Sequence, residues 1–391
     1  MKLLKSVLTL AICSAFALPV MAANNDGVKI KMSHGGLKIS QGDSSIQFGG
    51  RFMLDYDFFD GANNAVNNGD TGSNSEIRRG RIFIKSKFNK DWEAKLQINV
   101  DDKSNKDKFE DAYLKYHGFS FGSVTIGKHK ESFGLEELTS SKYISTIERS
   151  MMTDAFAPGR SYGVSLSGKQ GAFRYTGGVF STAKDGSGKE TYSLTGRVTY
   201  TPVLSKGHVI HFGLSSSVRD YGDNGYQIKE RAEVHTANSK PAISMLILSV
   251  GTVDLIGLEA AGVWGQLSLQ TEYQQASVNA SQGGMDANYS GYYVMGSYFL
   301  TNDYRPYKKG AFGKVKPSST TGAWELVTRF SNLDAIDNNA GTKTENVTFG
   351  VNYYANSNVR FMANYINTNV SGNSVIKTDA NALSLRAQYI F

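Results

Sequence analysis

Arg79, Arg81, Lys85 and Lys87 fall at odd positions of one short stretch, while Ile82, Ile84 and Phe88 take even ones. In an extended chain, residues two apart point to the same side. The four cations therefore form a ladder on one face of a strand. Such a ladder attracts anions, and the planar fork of arginine matches phosphate or carboxylate oxygens in pairs. The same alternation puts Arg51, Lys95, Lys115, Arg197, Arg219, Arg329 and Arg386 on polar faces. Lys130, Lys142, Arg149 and Arg160 fall in or beside the segment 132–159. Acids share these surfaces: Asp55, Asp57, Glu93, Asp101, Asp111, Glu272 and Glu325 on strands, and Glu131, Glu136 and Glu137 at the segment. Two readings stay open. The cations guide anions, or they pair with the acids across a shared space and set up a transverse field. Composition does not separate them.

The elements that position these side chains are strands. Ile46, Phe48, Gly50, Phe52, Leu54, Tyr56 and Phe58 alternate with Gln47, Gly49, Arg51, Met53, Asp55 and Asp57. Strict alternation over this length gives one apolar and one polar face. The pattern recurs to the end of the chain and predicts sixteen strands, from 45–58 to 380–391. Short connections such as Lys90-Asp91, 118–120, 169–170 and 355–357 alternate with long ones at 59–75, 132–159 and 220–251. The stretch 226–234 also reads as a strand, but counting it would put the two chain ends on opposite sides, so it belongs to the long loop. Aromatic residues gather beside the short turns: Phe88, Trp92, Tyr116, Tyr200, Trp264, Trp324, Tyr353 and Phe361. An even strand number, short turns at one end, long loops at the other and an aromatic girdle describe an all-β, transmembrane, antiparallel up-and-down barrel.

Charged residues make up 20% of the chain, and its mean hydropathy is −0.32. Those values exclude a multi-helix membrane protein, which needs apolar runs of about 20 residues. They suit a barrel, because half of each strand faces lipid and half faces water. Residues 1–22 carry Lys2, Lys5, an apolar stretch and Val20-Met21-Ala22, the pattern of a secretory signal cut after Ala22. Cys13 lies inside it and is the sole cysteine. Residues 23–43 are expected to form a short periplasmic hairpin segment, and 44–391 the barrel. Sixteen strands leave an aqueous channel, and the N-terminal segment is too short to plug it. The segment 132–159 is the candidate inward-folded constriction loop. No cofactor, metal ion or nucleic acid is expected. His208 and His211 point to opposite faces of a strand, and no Ser-His spacing singles out a nucleophile.

Several stretches resemble the phosphate-selective porin O/P family. They are Phe48-Gly49-Gly50-Arg51, Ile77-Arg78-Arg79-Gly80-Arg81 with Lys90-Asp91-Trp92, Asp111-Ala112-Tyr113, and Phe133-Gly134-Leu135-Glu136 with Leu138-Thr139-Ser140-Ser141. Ile147-Glu148-Arg149, Tyr298-Phe299-Leu300-Thr301, Gly322-Ala323-Trp324-Glu325 and Gly350-Val351-Asn352-Tyr353-Tyr354 follow in order. The resemblance implies a trimeric 16-stranded outer-membrane channel, with outer-membrane lipid and lipopolysaccharide around it and small anions as cargo. It implies that Arg51, Arg78 and Arg79 stand in a pore ladder, that Arg149 and Arg160 belong to the constriction, and that Lys308, Lys309, Lys314 and Lys316 form a basic stretch. Two departures weaken strict phosphate selectivity. Glu137 stands where phosphate-selective members carry lysine after Phe-Gly-Leu-Glu, and the loop 220–251 offers only Lys229 and Arg231, beside Glu230 and Glu233. The expected function is passive diffusion of small anions, including phosphate or related oxyanions. A general diffusion porin with weak preference and an adhesion or binding barrel are the alternatives.

Overall fold

The computed structural model describes residues 27–33, 36–100, 108–185, 187–281 and 283–391. The expected signal segment lies outside the described residues, as does Asp101. Sixteen strands form the wall: β1 (Ser44–Phe59), β2 (Gly72–Phe88), β3 (Trp92–Asn99), β4 (Phe109–Phe119), β5 (Gly122–Lys130), β6 (Arg160–Gln170), β7 (Phe173–Lys184) and β8 (Glu190–Ser205). β9 (His208–Tyr226), β10 (Ile247–Trp264), β11 (Leu267–Ala280), β12 (Ala287–Phe299), β13 (Ala323–Asp334), β14 (Thr342–Tyr354), β15 (Val359–Gly372) and β16 (Asp379–Ile390) complete it. Each strand pairs antiparallel with the next, and β16 returns to β1 in the register Leu385–Tyr56 and Ile390–Arg51. Gly50 N–H donates to the Phe391 carbonyl at 2.8 Å, and Phe391 N–H donates back at 3.2 Å. The sheet thus has no free edge in its wall, as a lipid environment demands.

The wall is inverted relative to a water-soluble protein. Outward residues are large and apolar: Leu194 is 62% exposed and Phe349 59%. Inward residues are polar or charged and mostly buried. Rings on neighbouring strands pair near the short turns, with centroids 4.6 Å apart for Trp92–Tyr116, 4.7 Å for Phe173–Tyr200 and 4.6 Å for Trp324–Tyr353. Before β1, Lys29–Ser33 and Gly36–Gln41 form a hairpin whose second strand pairs with the start of β1.

Three connections leave the wall and bond to inward side chains. The first, 131–159, carries two short helices, α1 (Leu135–Leu138) and α2 (Met151–Phe156). Gly134 turns into α1 at φ +71°, a region a side chain rarely adopts. The turn aims the Leu135 and Glu136 N–H groups at the Glu272 carboxylate on β11, at 2.8 and 2.6 Å. Ile147 N–H reaches Asn364 on β15 at 2.7 Å, and Asn352 on β14 reaches the Ser145 carbonyl at 2.8 Å. Phe133, Met151, Met152 and Phe156 pack against inward apolar residues of β10 to β13, including Val253, Leu255, Val278, Tyr293 and Leu333. The second connection, 227–246, sets Glu233 beside Arg329 and Thr236 on Asp57 at 2.7 Å.

The third, 300–322, corrects the expected alternation of short and long connections, since it lies at the short-turn end. It folds inward because it carries its own anchors. Tyr307 bonds His211 at 2.6 Å, Arg305 bonds Gln270 at 3.1 Å, and Phe312 N–H reaches Thr139 of the first loop at 3.3 Å.

Candidate functional site: a cationic lumen

A cavity of about 430 Å³ lies between the inner wall of β1 to β6 and the loop 131–159. Arg51, Arg79, Arg81, Lys85, Lys95, Lys130, Lys142, Arg149 and Arg160 line it, against Asp111 and Glu137 as acids. Backbone register explains the density of charge. Arg51 lies directly opposite Arg81 across β1–β2, Lys85 opposite Lys95 across β2–β3, and Lys130 opposite Arg160 across β5–β6. Like charges directly opposite in a sheet are destabilising, so each such pair calls for an acid or another anion close by.

Partners divide these cations into two groups. Arg81 and Arg160 share Glu110, the latter at 2.9 Å; Arg160 and Lys95 also meet Asp111 at 2.7 and 2.5 Å. Lys85 meets Glu93 at 2.9 Å. Glu137 bridges Lys130 at 2.6 Å and Arg149 at 3.1 Å. Burial alone would raise the Glu137 carboxyl, but Arg149 and Lys130 outweigh it and hold the group below its usual range. The second group has no close carboxylate among the described residues. Arg51 bonds only Ser140, at 3.4 Å, Arg79 reaches Glu148 at 4.0 Å, and both have a buried nitrogen with no hydrogen-bond partner. Lys142 lies over Phe83 and Tyr143, at 5.7 and 5.4 Å from the ring centres. Burial, reinforced by Arg51, Lys95 and Lys314, pulls its ammonium down to about 7.

Arg78 reaches the interior by a route that alternation cannot predict. Between the pairs Met53–Arg79 and Leu54–Ile77 the register slips, and Arg78 is the extra residue of a bulge. Its guanidinium grips Glu148 with two bonds of 2.9 Å. Lys87 stays exposed on β2, opposite Glu93.

The remaining expected site residues hold the loop and do not border the cavity. Arg329 is 1% exposed and bonds Glu136 at 3.1 Å and Glu233 at 2.6 Å. Arg219 bonds Glu131 at 2.9 Å, and Glu131 also accepts from Ser161 and Thr195 at 2.6 Å each. Glu136 further accepts from Ser150 and Thr153 at 2.9 and 2.7 Å. Arg386, on β16, joins Asp55 of β1 at 2.5 Å and Glu148 of the loop at 2.6 Å.

A second cavity of about 430 Å³ adjoins the first at the short-turn end, and the two share His129 and Lys130. Lys115, His117, Lys169, Arg174, Arg197 and Lys309 line it, and no carboxylate does. Lys169 and Arg174 are again direct cross-strand neighbours. Two Ser–His hydrogen bonds, which sequence spacing did not single out, lie in its wall: His117–Ser123 and His129–Ser165, both 2.8 Å.

A closed 16-stranded barrel with an apolar outer belt and a wet, charged interior is an outer-membrane porin: a channel, not an enzyme. Solved structures of similar architecture include an anion-selective porin from Comamonas acidovorans, at TM-score 0.60 and 14% identity, covering 89% of this chain and all of that one. A trimer form of OmpT from Vibrio cholerae matches at TM-score 0.57 and 14% identity, over 89% and 99% of the two chains. The profile of the phosphate-selective porin O and P family matches residues 46–391, and the chain belongs to that family. Porin O of Pseudomonas aeruginosa is 30% identical over 97% of this chain and 98% of its own length.

Proposed function

We propose that the protein conducts small anions by passive diffusion along the β1–β8 wall, through two adjoining cationic cavities, with the loop 131–159 setting the narrowest passage. One observation carries this reading: three like-charge cross-strand pairs converge on a cavity where Arg51, Arg79 and Lys142 have no close carboxylate. An anion beside these three cations meets charge that no protein carboxylate neutralises at close range, and their guanidinium and ammonium groups offer charge-assisted hydrogen bonds. Phosphate or a related oxyanion fits the arginine forks. Glu137 occupies part of the same space with a fixed carboxylate, which favours weak, fast binding over a tight phosphate site. The neighbouring trimeric porin supports a homotrimer embedded in lipid and lipopolysaccharide. The N-terminal residues support export through the periplasm, with the signal removed and the hairpin left at the periplasmic end.

Purified protein in a planar bilayer tests the reading. A KCl gradient is expected to give a reversal potential of anion-selective sign; a cation-selective sign overturns it. Block of the chloride current by added phosphate is expected at millimolar rather than micromolar concentration.

A further inference from the structure

The loop end of the barrel holds a pocket whose chemistry differs from that of the lumen. Its volume is about 400 Å³, and its walls come from the connections 60–71, 227–246 and 373–378 together with the end of β15. The floor is apolar: Ala62, Val66, Pro241, Ile243, Val370 and Val375 line it. Val66 is 70% exposed and Ile376, also at the pocket, 79%. Neither lies on the strand faces that meet lipid, so the bilayer does not account for their exposure. Grouped exposed apolar side chains mark a binding surface more often than a bare loop tip.

Around this floor stand Lys229, Arg231, Lys240 and Lys377, and no carboxylate lines the pocket. Among the described residues, none of the four has a carboxylate within ion-pair distance. Glu230, the adjacent acid on the same connection, does not border the space. The frame is fixed before any ligand arrives. Lys240 donates to the Lys229 carbonyl at 2.9 Å, Arg231 donates through Nε to the Ala237 carbonyl at 3.0 Å, and Ser239 N–H donates to the Asn63 carbonyl at 3.1 Å. Asn238 ties the connection 227–246 to Asn64 at 2.9 Å.

We infer that this pocket binds a small, water-soluble organic anion with an apolar ring, such as an aryl phosphate or aryl carboxylate. An apolar floor with a few placed polar groups is the usual construction of a small-molecule site, and the volume suits such a ligand. A bare inorganic anion gains nothing from the floor, and a neutral ring leaves the four cations without a counter-ion. The role of the pocket as a capture point ahead of the lumen rests on the anion-channel reading above; binding itself does not.

The test uses the full-length protein in lipid nanodiscs and 1-naphthyl phosphate as probe, with binding measured by equilibrium dialysis and competition by inorganic phosphate. The probe is expected to bind about tenfold more tightly than inorganic phosphate competes, and the Lys229→Gln, Lys240→Gln, Lys377→Gln variant to lose about tenfold in affinity, one charge-assisted bond's worth. Val66→Ser with Ile376→Ser, exposed positions that leave the fold intact, should weaken the probe and leave phosphate competition unchanged. Unaltered probe binding in both variants overturns the site, as does loss of binding on Arg51→Ala with Arg79→Ala, which would place the probe in the lumen. A cation-selective reversal potential with probe binding retained would instead sink the channel reading and leave the pocket standing.

Discussion

Arginine lines both halves of the lumen and does opposite things in them. On β8, β13 and β16, Arg197, Arg329 and Arg386 each lie within 3.1 Å of a carboxylate. On β1 and β2, Arg51 and Arg79 have none closer than 4.0 Å among the described residues. The first set ties loops to the wall. The second borders the cavity with its charge unneutralised. The residue type is the same and the burial is similar; the reach of a carboxylate decides whether a buried cation is an anchor or keeps its charge unneutralised.

Arg329→Ala should have the largest effect. It strands Glu136 and Glu233 without their counter-ion, a loss of about 3–5 kcal/mol for a broken buried pair. Thermal unfolding followed on unheated gels would read it, together with a raised conductance as the loop loosens. Arg51→Ala, which relieves a like-charge pair, should leave thermal stability near wild type; an equal loss at both sites would erase the distinction between the halves.

Arg51→Ala with Arg79→Ala should lower the anion-to-cation permeability ratio by roughly tenfold or more, as expected for losing a charged hydrogen bond worth about 1.5–3 kcal/mol. An unchanged reversal potential would remove these residues from the path. Glu137→Gln sharpens the contrast from the other side. It keeps the side-chain shape and removes the carboxylate partner of Lys130 and Arg149, so phosphate block should strengthen by a few-fold, under about 1.4 kcal/mol.

The smallest effect is the pH response of Lys142. With its ammonium at about 7, it is charged at pH 6 and neutral at pH 8. Anion preference should therefore fall as pH rises across that window, and Lys142→Gln should flatten the profile.

Alternation made the wall legible, strand by strand, because lipid and water impose opposite demands on successive residues. It failed where that premise failed. β10 turns apolar Val253 and Leu255 inward because the loop 131–159, not water, covers its inner side. Arg78 escaped because a bulge breaks period two. Arg329 and Glu136, 193 positions apart, carry no local mark that they pair, so a polar inward arginine read as pore lining. Connection lengths located the loop, and cross-strand register, which composition does not carry, brings the like charges together.

Arg386 has a consequence for how the barrel comes to exist. It holds the last strand to the first through Asp55 and grips the loop through Glu148. The residues it joins to Asp55 are 331 apart, the full span of the wall. Such a contact forms late, after the chain is complete, because closing so long a stretch is slow. The seam and the loop share one guanidinium, so sealing the cylinder and fixing its inner segment become a single event. An assembly that stalls before this step would be both open at the side and unrestricted at the centre.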